Sequence, residues 1–290
     1  MQMLLGIFPN LDKISVCENL PHIVTSCRQL GIEPCLPQEI AQNYACRAYS
    51  VENLASMQNF AVAMSLGGDG TLLRMTHYTA PLDIPVFGVN FGKLGFLTEV
   101  ELPQLAESLR RIVVGDYTLE QRSMLQAKIF QEARKIVEVQ ALNDIVLAKG
   151  HFSRLARLSV KIGGQKSANY PSDGLIVATA TGSTAYSLAA GGPIVYPGLD
   201  VSILTPICAH ALHTRPLLIP MAEQIEIKAL PPYEELLLSA DGVIIKSLAE
   251  DERVVIKKSP CSTRFIRINP LTYYETWQQK LRRGEDSTKF

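Results

Sequence analysis

The chain has 290 residues, 47% of them apolar and 19% charged, which suits two domains of about 150 residues or one large one and excludes a disordered protein. Lys plus Arg number 28 and Asp plus Glu 28, so the formal net charge is zero and the bulk positive field behind nonspecific nucleic-acid binding is missing. Six cysteines, at 17, 27, 35, 46, 208 and 261, include no CxxC pair, so neither a zinc ribbon nor a thioredoxin-type site is expected.

The opening MQMLLGIFPN has no basic region, and its short apolar run is broken by glycine and ended by proline. It reads as a first strand, Leu4 to Phe8, and not as a signal peptide. Helical spacing follows from Leu11 to about Leu30 and stops at Gly31. Phe60 to Leu66 (FAVAMSL) is the next strand, and it runs straight into Gly67-Gly68-Asp69-Gly70. A helix capped by Thr71 is expected to Thr79, a strand over Ile84 to Val89, and a helix over Leu102 to Val114. Strands alternating with helices predict a parallel, Rossmann-like α/β sheet.

The texture changes after about Tyr117. Leu125–Phe130, Ile136–Val139, Leu155–Ile162, Leu175–Ala180, Ile225–Ala229, Leu236–Leu238 and Val254–Ile256 all read as strands. Gly163-Gly164, Pro231-Pro232 and Asp241-Gly242 separate them as turns, so a β-rich second domain is expected. One short helix is expected near Ser183-Thr184. A terminal helix over Asn269 to Arg283, with Leu271, Tyr274, Trp277 and Leu281 on one face, is expected to pack back on the first domain. The expected domains are 1–116 together with 260–290, and 117–259. No run of about 18 apolar residues is present, so no membrane span is expected, and the chain reads as cytoplasmic with reduced thiols.

Gly67-Gly68-Asp69-Gly70-Thr71, between a strand and a helix, is the strongest local signal. Glycines let backbone approach a ligand, and N–H groups beside a helix N-terminus bind anions, phosphate above all. A carboxylate in such a place repels phosphate unless it binds a metal or takes a proton from a hydroxyl. Both uses suit phosphoryl transfer to an alcohol. The plainer alternative is a glycine turn with a capping aspartate. Neither GxGxxG nor GxxxxGK[ST] is present: Leu73 stands where the third glycine of the first would fall, and Gly92-Lys93-Leu94 lacks the hydroxyl of the second. A second rich stretch, Asp173 to Pro193, holds five hydroxyls at 179, 181, 183, 184 and 187, with Tyr186 able to stack on a base. The plainer alternative there is an N-cap followed by an alanine-rich packing helix. Cys208, His210 and His213 match no familiar zinc spacing.

GGDGT, FGKLGFLTE (91–99), LND (142–144), DGLIVATATGSTAYSLAAGGPIV (173–195), TPICAHALHTRP (205–216) and SADG (239–242) occur in that order. Together they closely resemble the bacterial NAD kinase family, ATP- or polyphosphate-dependent. GGDGT alone is shared with lipid kinases and phosphofructokinases; the TGSTAYSL block is far more specific. The resemblance implies transfer of the terminal phosphate of ATP to the 2′-hydroxyl of the adenosine ribose of NAD, with Asp69 as proton acceptor. It implies that Gly68 and Gly70 give backbone access to phosphates, that Arg74 reaches a phosphate and that Phe96 lines the dinucleotide site. Asn143 and Asp144 would hydrogen-bond the nucleotide, Arg154 matches a basic position, and Asp173, Thr181, Thr184, Ala185, Tyr186 and Ser187 would shape the NAD pocket. No protein-held metal is implied; a divalent cation, Mg²⁺, would be carried by the nucleotide. The partners implied are NAD, ATP or polyphosphate, and further copies of the chain in a homodimer or homotetramer, with neither nucleic acid nor membrane. Three positions depart from the family pattern: Asp144 for glutamate, Ala180 for proline and Val243 for glutamine. The rival readings are a diacylglycerol-type lipid kinase with the same loop and a non-catalytic dinucleotide sensor.

Overall fold

A computed structural model describes residues 2–92, 95–150, 155–211, 213–268, 274–275 and 277–278. The chain divides into two compact units, Met1–Gln121 with Thr263–Phe290, and Arg122–Ser262.

The first unit alternates strand and helix. Its elements are β1 (Met3–Pro9), α1 (Ile14–Gln29), β2 (Ile32–Pro37), α2 (Gln38–Ala41), β3 (Arg47–Tyr49), β4 (Val62–Gly67), α3 (Asp69–Thr79), β5 (Val86–Asn90), β6 (Val100–Glu101) and α4 (Leu105–Val114). The strands pair in the order β3-β2-β1-β4-β5-β6, every pair parallel. A parallel sheet needs covering helices, and α1 supplies one face through Val16, Leu20, Ile23, Val24 and Cys27, spaced at three and four. These pack on Leu5, Ile7, Met64, Leu66 and Phe87. The chain turns to opposite sides of β1 after β1 and after β4, so the loops after these two strands leave the sheet side by side. Such a switch point, at the carboxyl ends of the strands, is where open α/β sheets bind ligands.

The helix after the glycine motif starts at Asp69, two residues before the expected threonine cap. Gly68 is the N-cap: its backbone is extended at φ −153°, and its carbonyl accepts from the N–H groups of Thr71 and Leu72. Thr71 is buried against Gly67, where a Cβ would overlap its hydroxyl. The threonine is spent on packing and the glycine does the capping.

The second unit is antiparallel. Its strands are β7 (Thr118–Gln131), β8 (Arg134–Ala141), β9 (Asp144–Lys149), β10 (Ala156–Ile162), β11 (Gln165–Ser172), β12 (Gly174–Thr179), β13 (Val201–Ile207), β14 (Leu217–Pro220), β15 (Ile225–Ala229), β16 (Leu236–Ala240), β17 (Val243–Leu248) and β18 (Glu252–Arg267). β7 begins in the first unit, and β18 ends there beside β5. Six strands form one sheet in the order β14-β13-β12-β9-β16-β17. β12 is buried on both faces: Leu175 and Val177 join the main core, while Ile176 and Ala178 join a second cluster with Val146, Val195 and Ile203. A 3-10 turn (Thr181–Thr184) and α5 (Tyr186–Ala189) follow β12, where one short helix was expected.

The expected terminal helix lies largely outside the described residues; Tyr274, Glu275, Trp277 and Gln278 are helical. Among the described residues no helix is long and apolar enough to cross a membrane.

Candidate active site

The functional residues fall into two groups, one in each unit. The first is built on the carboxyl ends of β4 and β5. Gly67 pairs with Asn90 across these strands, and the Phe91 N–H donates to the Gly67 carbonyl at 2.7 Å. The segment after β5 therefore runs beside the glycine loop. There it turns over Asp69, whose carboxylate accepts four hydrogen bonds from it. Oδ1 accepts from Leu97 N (3.1 Å), Thr98 N (3.0 Å) and Thr98 Oγ1 (3.1 Å), and Oδ2 accepts from Phe96 N (2.6 Å). Successive N–H groups aimed at one carboxylate hold it in fixed orientation. A Cβ on Gly95 would overlap the carboxylate carbon and both its oxygens, so any side chain here would displace the carboxylate or the turn.

The same turn is held from behind. Glu99 accepts from Ile268 N at 2.8 Å and pairs with Arg267 at 3.2 Å, and Arg267 also pairs with Glu120 at 2.6 Å. Phe96 is half-buried, and Arg74, in the first turns of α3, is exposed. Gly68 and Gly70 occupy the cap and second residue of α3, where backbone N–H groups lack intrahelical partners.

The second group gathers where β9 starts. The Asp241-Gly242 turn between β16 and β17 has positive φ at both residues, 47° and 81°, the requirement of a two-residue hairpin turn. It presents the Asp241 carboxylate to three consecutive N–H groups: Leu142 (2.8 Å), Asn143 (2.7 Å) and Asp144 (3.1 Å). From the other side, Thr179 donates through Oγ1 to the Leu142 carbonyl at 2.6 Å, and Thr179 N donates to the Asn143 carbonyl at 2.8 Å. Gly182 lies so close to Asn143 that a Cβ would overlap its carbonyl. The LND turn is thus clamped between SADG and TGST.

Most of the hydroxyls in the second motif are used internally. Ser183 donates to the Ala180 carbonyl and accepts from Val195 N, and Ser187 bonds Thr205 at 2.8 Å; both side chains are fully buried. Thr181 Oγ1 accepts from the buried Arg122 at 3.2 Å, and Thr184 Oγ1 bonds the Thr181 carbonyl at 3.4 Å. Ala185 breaks the path between the 3-10 turn and α5 and is half-buried. Tyr186 is 45% exposed and free to meet a ring. Asp173 pairs with Lys149 at 2.8 Å. Arg154 lies outside the described residues. His210 bonds the Pro171 carbonyl through its backbone N–H.

Asp144 is 5% exposed, and burial together with the nearby Asp241 carboxylate raises its pKa from 3.8 to about 7. The folded state therefore binds the Asp144 proton more tightly than the unfolded chain. The ionised carboxylate costs the fold nothing below about pH 4, an increasing amount between about 4 and 7, and its full penalty above 7. Asp144→Asn is expected to stabilise the protein at pH 8 by at least about 1.4 kcal/mol, the equivalent of one pKa unit, with no gain at pH 4. Denaturant melts at both pH values check this; a gain confined to pH 4 would contradict the sign.

Three residues carry structure that the sequence did not assign: Gly95, Arg122 and Asp241. Gly95 and Asp241 sit inside motifs already recognised, and the Asp-Gly dipeptide was a visible turn signal. A single buried arginine in a strand, such as Arg122, has no pattern of its own. Among the described residues no cluster of three or more His, Cys, Asp or Glu side chains is placed to hold a metal ion.

The family model "ATP-NAD kinase N-terminal domain" matches residues 31–117, and "ATP-NAD kinase C-terminal domain" matches residues 142–268. The chain is 39% identical over 282 residues to the NAD kinase of Moorella thermoacetica, covering 97% of this chain and 89% of that one. It is 35% identical over 281 residues to the NAD kinase of Natranaerobius thermophilus, covering 97% and 98%. Among solved structures, an NAD kinase from Archaeoglobus fulgidus in complex with ATP superposes with a TM-score of 0.76 at 26% identity, covering 97% of this chain and 99% of that one. Yeast NADH kinase complexed with NADH shares the fold, with a TM-score of 0.88 at 22% identity, covering 96% and 87%.

Proposed function

The chain belongs to the NAD kinase family, and from that premise we propose how its residues divide the reaction. The protein is an NAD kinase: it transfers the terminal phosphate of ATP to the 2′-hydroxyl of the adenosine ribose of NAD, giving NADP and ADP. The observation that carries the assignment of residues is the Asp69 carboxylate, oriented by four donors inside a glycine loop.

Asp69 is the general base. Three of the four donors occupy Oδ1, and among the described residues Oδ2 accepts only from Phe96 N, so Oδ2 is the oxygen with a lone pair for the ribose proton. The 2′-oxygen forms a bond to the terminal phosphorus as the bond from that phosphorus to the bridging oxygen of ADP breaks. The proton passes to Oδ2 and then to solvent. Gly68 and Gly70 donate backbone N–H groups to the donor phosphates, and Arg74 adds charge at the same place. Phe96 lines the dinucleotide site. Asn143 and Asp144 hydrogen-bond the nucleotide, and Arg154 supplies a cation. Asp173, Thr181, Thr184, Ala185, Tyr186 and Ser187 shape the NAD pocket, with Ser187 acting through packing.

A divalent cation, Mg²⁺, enters on the ATP phosphates. Mg²⁺ keeps its waters and binds phosphate oxygens readily, so it needs no dedicated protein cage. The chain works in the cytoplasm as a homodimer or homotetramer. Tyr186, Leu188, Tyr196, Leu199, Leu217 and Leu218 are exposed apolar side chains on the second unit, and a further copy of the chain would bury them. Light scattering is expected to read two or four times 31.9 kDa.

The test is phosphate transfer to NAD⁺ by the purified protein with ATP and Mg²⁺, read by a dehydrogenase specific for NADP⁺. NADP⁺ formation is the expected result. Product from polyphosphate alone would change the donor. Binding of NAD without product from either donor would leave a dinucleotide sensor.

A further inference from the structure

We propose that Lys13 is a phosphate ligand of the donor nucleotide, completing the charge at the glycine loop. The proposal rests on the reading that this loop holds the donor phosphates.

The link between β1 and α1, residues 10–13, lies against the loop after β4. Pro9 pairs with Leu66, and Asn10 N donates to the Leu66 carbonyl at 2.9 Å. A Cβ on Gly67 would stand 3.2 Å from the Asn10 Cβ. Lys13 closes this link as the N-cap of α1, held by its N–H on the Asn10 carbonyl at 3.2 Å.

Its side chain turns to the glycines and not outward. A Cβ on Gly92 would lie 3.6 Å from Lys13 Nζ, and one on Gly68 3.9 Å from it. The ammonium therefore sits over both the loop after β4 and the loop after β5. Lys13 is half-buried and makes no ion pair among the described residues. The Asp69 carboxylate is turned to the 96–98 segment, and no ion pair joins it to Lys13 among the described residues. The ammonium also lies beside Gly68, the N-cap of α3, where the helix carries partial positive charge. A cation held beside a positive helix end, over open glycine backbone, is unfavourable until an anion joins it. The anion that fits is the oligophosphate of the donor. Lysine binds as a flexible point charge, so it follows whichever phosphoryl oxygen approaches.

The test uses the full-length protein with two variants, Lys13→Met and Lys13→Arg, and a loop control, Gly70→Asp. Gly70 has open space around its Cβ position, so the aspartate fits and its charge opposes phosphate. The probes are MgATP in steady-state kinetics and inorganic tripolyphosphate in calorimetric binding. Lys13→Met is expected to raise KM for ATP and weaken tripolyphosphate binding about ten- to hundredfold, the range for a hydrogen bond to a charged group. KM for NAD should stay within about twofold, and Lys13→Arg should recover most of the ATP affinity because it restores the charge. A merely structural lysine would lower the melting temperature without splitting the two KM values, and that result overturns the proposal. Weak tripolyphosphate binding in Gly70→Asp but wild-type binding in Lys13→Met would overturn the role of Lys13 and leave the loop reading standing. Wild-type binding in both variants would overturn the two together.

Discussion

Asp69→Asn is expected to lower kcat by about 10²- to 10⁴-fold, the usual contribution of a positioned general base. Affinity for NAD should change little, because the proposed NAD contacts lie mainly in the second unit. The amide keeps a carbonyl oxygen for the donors on Oδ1, so Leu97 N, Thr98 N and Thr98 Oγ1 retain their acceptor. Its NH₂ group then faces Phe96 N, donor against donor, and that contact is lost. Chemistry and structure are separated by measuring kcat, NAD binding and melting temperature on the same preparation. A variant with unchanged kcat would remove Asp69 from the mechanism. A collapse of NAD binding in step with kcat would make it a structural anchor only.

Gly95→Ala is expected to come close to the same loss, although Gly95 has no side chain and no chemistry. A Cβ there would overlap the Asp69 carboxylate, and neither partner can yield freely. The carboxylate is tied to three successive N–H groups, and the turn behind it is tied through Glu99 to Arg267 and Ile268. Relief requires a shift on the order of 1 Å in the base or in the turn, which costs about 10²-fold in rate. Because the effect passes through Asp69, Gly95→Ala should add little in an Asp69→Asn background. Additive losses in the double variant would show that Gly95 acts elsewhere. Wild-type kcat in the single variant would show that the turn is looser than its hydrogen bonds indicate.

The local patterns that carried the fold were strong where one physical cause dominated. FAVAMSL and LIVATA are continuous apolar runs because β4 and β12 are buried on both faces. The helical spacing of α1 was legible because one face meets the sheet. β2 was not anticipated: Glu33 and two prolines interrupt its apolar run, and only its place beside β1 makes it a strand. The helix start at Asp69 was misplaced for a related reason. Threonine is a good cap by itself, but here Gly67 needs it for packing.

The hydroxyls between 179 and 187 show the same division. As residue types they suit a polar ligand. In the fold, Thr179, Ser183 and Ser187 are satisfied by Leu142, Ala180, Val195 and Thr205, so their hydroxyls are occupied within the protein. A buried hydroxyl must find a partner, and for Thr179 and Ser187 that partner lies 37 and 18 residues away along the chain.

Motif order carried the resemblance to the family and, through that resemblance, the proposal of Asp69 as base, while strand and helix periodicity carried the two kinds of domain, since periodicity is a local property of backbone and burial. The orientation of Asp69 by residues 96–98, the demand for glycine at 95, the Asp241 clamp on residues 142–144 and the ammonium of Lys13 over the loop were decided by the tertiary structure. Each joins segments about 30 to 100 residues apart through hydrogen bonds or close contacts, and such pairings have no periodic signature along a chain.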